Sequence, residues 1–355
     1  MSTPIHGGGV DRALRELGLS RDQLLDFSAS INPLGAPPQV RKALAEAAER
    51  IGDYPEIDAD SLRQELSQYH QIPVENILPG SGSTELIYLL PRVFQPRKTL
   101  LVRPCFGEYA QALSFCNSEI ISLTLSLSDS FRFSISHILS MVDESTELVC
   151  LANPGNPTGI GIDPQQLLLL AEQLGGCRLL VDEAFVDFCH ERSVLPAVSD
   201  LPNLLVLRSL TKFYAIPGLR AGYLAGSQAD IAQMSAAREP WTLSNMAIAA
   251  AKTCLLAKDY QTQTLLLIPK LREELKGGLE RLGLTVFPGA ANFLLCRLPE
   301  NAPRAEQIAA RLRLDGILIR NCADFLPLDN SFFRVAVLNS VANCRLLEKL
   351  QLILS

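Results

Sequence analysis

Four short apolar runs, at residues 100–103, 147–152, 179–181 and 204–207, constrain this chain more than any other feature. Each is too short for a buried helix, each is apolar almost throughout, and segments of helical pattern alternate with them. Such runs read as strands buried on both faces, the pattern of a mainly parallel sheet covered by helices. A polar cluster follows every run, at 104–109, 153–159, 182–185 and 208–220. An open α/β sheet gathers its chemistry beyond the carboxyl ends of its strands, so the four clusters are expected to converge at one sheet edge.

The rest of the chain frames that sheet. Apolar residues recur at helical spacing over 38–50 and again over 59–70, and a short extended piece at 76–79 leads into Gly80-Ser81-Gly82-Ser83-Thr84-Glu85-Leu86. Glycines and small hydroxyl residues ahead of an apolar helical stretch suit an anion at a helix N-terminus, and equally a simple capping turn. A helix is expected over 164–174, and a long helical stretch over 245–282 with an interruption near Pro269. Beyond it the pattern becomes extended at 285–297, helical at 302–314, extended at 316–320 and 332–338, and helical from Val341, which fits a small α+β domain. The expected division is an N-terminal arm (1–37), a large domain (38–271) and a small C-terminal domain (272–355).

With 355 residues, 48% of them hydrophobic and 20% charged, the chain can bury a large core. A net charge of -6, spread along the chain, gives no support for nucleic acid binding and favours a small-molecule substrate. The N-terminus lacks the pattern of a secretory signal, and no apolar run approaches the roughly 18 residues of a membrane span. The nine cysteines, odd in number and without ligand-like spacing, read as reduced thiols. A cytoplasmic protein with no protein-ligated metal is expected.

Candidate chemistry lies just past the apolar runs. Lys212 follows Ser209 and Thr211, and Arg220 comes after a Pro-Gly turn. A lysine that attacks a carbonyl must be partly desolvated so that its neutral amine is available. Asp182 ends a strand-like run, Asn156 lies in Asn153-Pro154-Gly155-Asn156-Pro157-Thr158-Gly159, and Phe106 follows another run. Taken singly, each also fits an ordinary role: a solvated loop lysine, a capping acid, a turn asparagine, a core aromatic. Together they offer an amine, an acid, a hydrogen-bonding amide, an aromatic face and an anion cradle, which is what pyridoxal phosphate requires.

On these motifs the chain resembles the fold-type I pyridoxal-phosphate enzymes of the aspartate aminotransferase superfamily, nearly end to end. The resemblance implies that Lys212 forms the Schiff base with pyridoxal 5'-phosphate, Asp182 pairs with the pyridinium nitrogen, Asn156 contacts the ring oxygen and Phe106 stacks on the ring. The cofactor phosphate would rest on Ser81, Gly82, Ser83 and Thr84, with Ser209, Thr211 and Arg220 completing its surroundings. Through His6-Gly7-Gly8, residues 26–35, residues 208–220, Pro240-Trp241 and Phe333-Arg334-Val335-Ala336, the chain is most similar to the threonine-phosphate decarboxylases of cobalamin biosynthesis, themselves similar to the histidinol-phosphate aminotransferases. That finer likeness implies decarboxylation of O-phospho-L-threonine to (R)-1-amino-2-propanol phosphate, the alternative being an aminotransferase of the histidinol-phosphate type. It implies substrate contacts from His6, Asn32, Arg320 and Arg334, and a homodimer in which Tyr54 reaches the neighbouring subunit's cofactor phosphate. Phe185 stands where the aminotransferases generally carry a tyrosine directed at the ring oxygen, a departure that counts against transamination.

Overall fold

The computed structural model describes residues 7–355. In chain order its strands are β1 (Leu25–Asp26), β2 (Ile77–Gly80), β3 (Lys98–Arg103), β4 (Glu119–Thr124), β5 (Leu148–Ala152), β6 (Arg178–Asp182), β7 (Leu204–Ser209) and β8 (Gly222–Ala225). In the C-terminal part follow β9 (Thr285–Val286), β10 (Phe293–Arg297), β11 (Ile317–Leu318), β12 (Arg320–Asn321) and β13 (Phe332–Ala336). Seven strands form the main sheet in the order β2-β8-β7-β6-β5-β3-β4, and β8 alone runs antiparallel to its neighbours. Helices pack on both faces. Val149, Leu151, Leu179, Val181, Leu204 and Val206 point into one core, while Leu148, Cys150, Leu180, Leu205 and Leu207 point into another. Since successive side chains of a strand face opposite ways, two apolar layers demand the unbroken apolar runs seen in the sequence.

A second sheet, β12-β13-β10-β9, is antiparallel and packs on its own apolar cluster with the helices Ala305–Leu314 and Ser340–Leu354. The helix Lys258–Arg281 joins the two units: Ile268 is buried in the first core, and Leu271, Leu275 and Leu279 in the second. Residues of the N-terminal arm return to the second unit, where β1 pairs in parallel with β11.

The structure corrects three sequence expectations. The helical stretch over 245–282 is interrupted not at Pro269 but at residues 256–257, between the helices Asn245–Leu255 and Lys258–Arg281. Proline removes one helical hydrogen bond, yet Ile268 and Leu271, buried on either side, hold this helix in both cores. The extended run over 285–297 is two strands separated by a loop. Residues 316–320 divide between two sheets, β11 pairing with β1 and β12 with β13. The edge strand β4 and the antiparallel β8 lacked a distinctive signal in the sequence.

Beneath the strand ends runs a buried ionic cluster. Arg208 of β7 donates to the Glu183 carboxylate at 3.1 Å and to Asp187, while Ser193 donates to Glu183 at 2.6 Å. Arg208 and Glu183 side chains are 5% and 0% exposed, so deleting one charge strands the others out of water. Arg208→Met should lower unfolding free energy by about 3–5 kcal/mol in urea denaturation; a loss below about 1 kcal/mol would mean that water or rearrangement compensates the carboxylates.

Candidate active site

The four post-strand clusters meet in one cavity of about 300 Å³, whose walls include Ser83, Thr84, Phe106, Asn156, Asp182, Thr211, Lys212, Arg220 and Arg334. Phe106 follows β3, Asn156 follows β5, Asp182 ends β6 and Lys212 lies beyond β7, so the parallel register alone brings them to the same edge.

Lys212 Nζ donates to Ser209 Oγ at 3.0 Å, and Ser209 and Thr211 hydroxyls are 2.8 Å apart. Burial, aided by the positive charges of Arg220 and Arg334 and opposed by Asp182, brings the Lys212 amine down to about 8. It is therefore a lysine with a substantial neutral fraction near physiological pH. Asp182 Oδ2 accepts from the Tyr109 hydroxyl at 2.6 Å and Oδ1 from the Ala184 N–H at 2.8 Å. Burial raises its pKa, while the Tyr109 hydrogen bond and the Lys212 charge act the other way. A cationic ring nitrogen placed here would offset that burial.

The anion cradle is the first turn of the helix Gly82–Phe94, whose leading N–H groups have no carbonyl within the helix to receive them. Gly82 has φ +77°, and a Cβ built on it would lie 2.5 Å from Arg220 Nη2. Glycine is thus required by both backbone and space, and the guanidinium lies directly against the helix start. The Ser81 N–H already donates to the Glu85 carboxylate, which leaves Gly82, Ser83 and Thr84 as the free part of the expected cradle. Amine, acid, aromatic wall and a glycine-lined helix start flanked by arginine fit pyridoxal phosphate.

On the side of the second sheet, Arg320 and Arg334 are directly opposed in the β12–β13 register and each is 6% exposed. Arg320 donates to Asp324 at 2.7 Å and to the Asn321 carbonyl. Arg334 donates to Asn156 Oδ1 and, at 2.9 Å, to the Ser28 carbonyl, and its Nε finds no partner among the described residues. Among the described residues, then, the Arg334 hydrogen bonds go to neutral acceptors, and burial pulls its pKa down to about 10. Arg334 lines the Lys212 cavity. Arg320 lines an adjoining one that shares Gly7 and Ser28 with it.

Asn32 and Tyr54 do not line this cavity. Asn32 is 2% exposed and turns away from the cavity, its amide donating to Phe213 O and Thr264 Oγ1 at 2.9 Å while its own N–H donates to Lys212 O at 3.0 Å. These bonds brace the lysine loop. Tyr54 is 81% exposed and packs on Trp241, with ring centroids 5.1 Å apart, outside the cavity of its own chain. His6 lies outside the described residues. Phe185 lines the cavity and packs edge-on against Phe293 at 4.9 Å, an apolar wall where a hydroxyl is absent. Sequence reasoning missed Tyr109, whose only signal is its place three residues after Phe106, and Ser28, which belongs to the 26–35 motif but reaches Arg334 through its carbonyl.

The chain matches the family described as "Aminotransferase class I and II" over residues 22–350. It is 39% identical to a threonine-phosphate decarboxylase of Salmonella typhimurium, over 99% of this chain and 96% of that one. Among solved structures it resembles a histidinol-phosphate aminotransferase of Clostridium acetobutylicum (TM-score 0.87, 29% identity, 93% and 99% of the two chains). It also resembles an L-threonine-O-3-phosphate decarboxylase of Porphyromonas gingivalis (TM-score 0.84, 25% identity, 93% and 99%).

The depressed Lys212 amine predicts selective reactivity in the cofactor-free protein. Pulse labelling with an amine-directed reagent, read by peptide mapping, should show Lys212 gaining reactivity around a midpoint of about 8. Asp182→Asn, which removes the group that favours the charged amine, should move that midpoint lower; an upward shift would contradict the proposed electrostatic coupling.

Proposed function

The chain belongs to the class I and II aminotransferase family, and from that premise we propose that it is a pyridoxal-phosphate-dependent carboxy-lyase acting on O-phospho-L-threonine. The product is (R)-1-amino-2-propanol phosphate, a building block for cobalamin. The observation that carries the reading is Arg334: beside the reactive lysine, this buried guanidinium donates to neutral acceptors, Asn156 Oδ1 and the Ser28 carbonyl, and Arg320 lies opposite it in the strand register. A buried positive charge with neutral partners favours an anionic ligand. The planar donors of arginine suit a phosphate, and the relative sharing 39% identity carries the name of a decarboxylase.

Pyridoxal phosphate, held by Lys212, Asp182, Asn156, Phe106, Ser209, Arg220 and the Gly82–Thr84 turn, supplies an electron sink for the pair released when a bond to the substrate Cα breaks. The chain's own task is to choose which bond that is. If Arg320 and Arg334, with His6, hold the substrate phosphate, the α-carboxylate is left unclamped and can stand in the labile position. An arginine that clamped the carboxylate near the ring plane would expose the proton instead. Lys212, whose pKa is brought down to about 8, can then give a proton to Cα from its protonated form as general acid and be left as the neutral amine. Phe185 closes one wall with carbon and offers no hydroxyl.

The protein works as a homodimer with shared active sites. Tyr54 and Trp241, packed together and exposed by 81% and 43%, lie near exposed Ile51 and Ile57 in the chain, and a second copy would cover this apolar surface and bring Tyr54 to the neighbouring cofactor phosphate. Packing along the helix Lys258–Arg281 supports dividing the chain into an arm (1–37), a large domain (38–271) and a small one (272–355). Nine free cysteines, seven of them buried, favour a reducing, cytoplasmic setting. No helix of the described residues is long and apolar enough to cross a membrane.

The decisive assay is carbon dioxide release from O-phospho-L-threonine by the holoenzyme without added keto acid. Glutamate-dependent conversion of histidinol phosphate with no such release would overturn the assignment in favour of the aminotransferase. Arg334→Gln should cost about 2–5 kcal/mol of substrate interaction, roughly 30-fold to several thousand-fold in kcat/KM, with the visible absorbance of the lysine-bound cofactor retained.

A further inference from the structure

Two consecutive non-glycine residues, Ser130 and Phe131, have φ of +49° and +58°. A bulky aromatic in the left-handed region is a genuine outlier, and such strain persists only where surrounding structure over-determines it. What holds Phe131 is not its own sheet. Its ring is 2% exposed and lies 5.1 Å from that of Phe287, in a cluster whose other buried members, Phe287, Leu295, Cys322, Phe325, Leu328 and Phe332, all come from the C-terminal unit. A turn of the first unit thus plugs the side of the second.

Both ends of this plug lead to the site. Just before the turn, the Leu125 N–H donates to the Arg103 carbonyl at 2.8 Å, at the end of β3, three residues ahead of Phe106. Within the plugged cluster, the Phe325 ring lies 4.8 Å from the Arg320 guanidinium carbon, and Leu295 is the register partner of Arg334. Through one buried ring, the wall of the cofactor cavity is tied to the strands that carry both arginines.

We infer that Phe131 is a positioning residue for the reaction: it touches neither substrate nor cofactor and sets the spacing between the reaction centre and the arginine pair. This rests on the reading of Arg320 and Arg334 as the substrate's anion site. Misplacing a binding group by about 1 Å can cost on the order of a hundredfold, so a strained but fixed anchor has a purpose that stability alone would not require.

The test uses holoenzyme and O-phospho-L-threonine decarboxylation. Phe131→Ala should keep the absorbance of the lysine-bound cofactor, raise KM roughly ten- to hundredfold and change kcat far less. Phe131→Leu, which restores part of the ring's volume, should give an intermediate KM, and Ser130→Gly, which relieves strain without touching the ring, should leave KM unchanged. A merely structural role would lower thermal stability and leave KM alone. Wild-type KM in Phe131→Ala, beside a raised KM in Arg334→Gln, overturns the inference by itself. Wild-type KM in both means that the functional reading has failed and takes the inference with it. If Phe131→Ala does not fold, Phe131→Leu decides: a raised KM at full cofactor occupancy supports the role, and a wild-type KM overturns it.

Discussion

The site depends on a primary amine that has lost most of its water and kept one carboxylate to steady it. Lys212 lies in a pocket where burial and two arginines push towards the neutral amine while Asp182 holds some of the charge back. That balance requires Asp182 and Lys212 to be fixed at the ends of adjacent strands, and the pairing of β6 with β7 fixes them. Below them Glu183, the residue after β6, and Arg208 of β7 are bound in a buried ionic cluster. The chemistry at the surface of the sheet and the ionic cluster in its interior are therefore adjacent layers of one arrangement.

A second constraint comes from the other unit. The arginine pair belongs to the antiparallel sheet, yet Arg334 reaches across to Asn156 and to the Ser28 carbonyl, so the proposed anion site would be assembled from the arm, the large unit and the small unit together. Gly7 approaches Ser28 so closely that a Cβ there would lie 2.3 Å from the Ser28 carbonyl oxygen. The glycines near the N-terminus thus allow the arm to pass over the pocket.

Much of this was legible in the sequence because strand ends are read in one dimension. The apolar runs gave the sheet, and the polar residues past them gave Phe106, Asn156, Asp182 and Lys212, which the parallel register necessarily collects. What was not legible depended on direction and on distant partners. Asn32 lies in a motif that suggests ligand contact, but its amide is consumed by Phe213 and Thr264, the latter 232 residues away in sequence. Tyr109 finds Asp182 across 73 residues by virtue of a short helix whose orientation no local pattern announces. The helix break at 256–257 has no proline or glycine to mark it, whereas Pro269, which looks like a breaker, is carried through by burial on both sides.

The central claim is that the arginine pair receives the substrate's phosphate and thereby leaves its carboxylate free to depart. The most direct measurement is a crystal structure of the holoenzyme with O-phospho-L-threonine bound in a decarboxylation-impaired Lys212→Ala variant. The phosphate should lie within hydrogen-bond distance of Arg320 and Arg334 with the α-carboxylate outside their reach. A carboxylate clamped by that pair, with the phosphate elsewhere, would contradict the account.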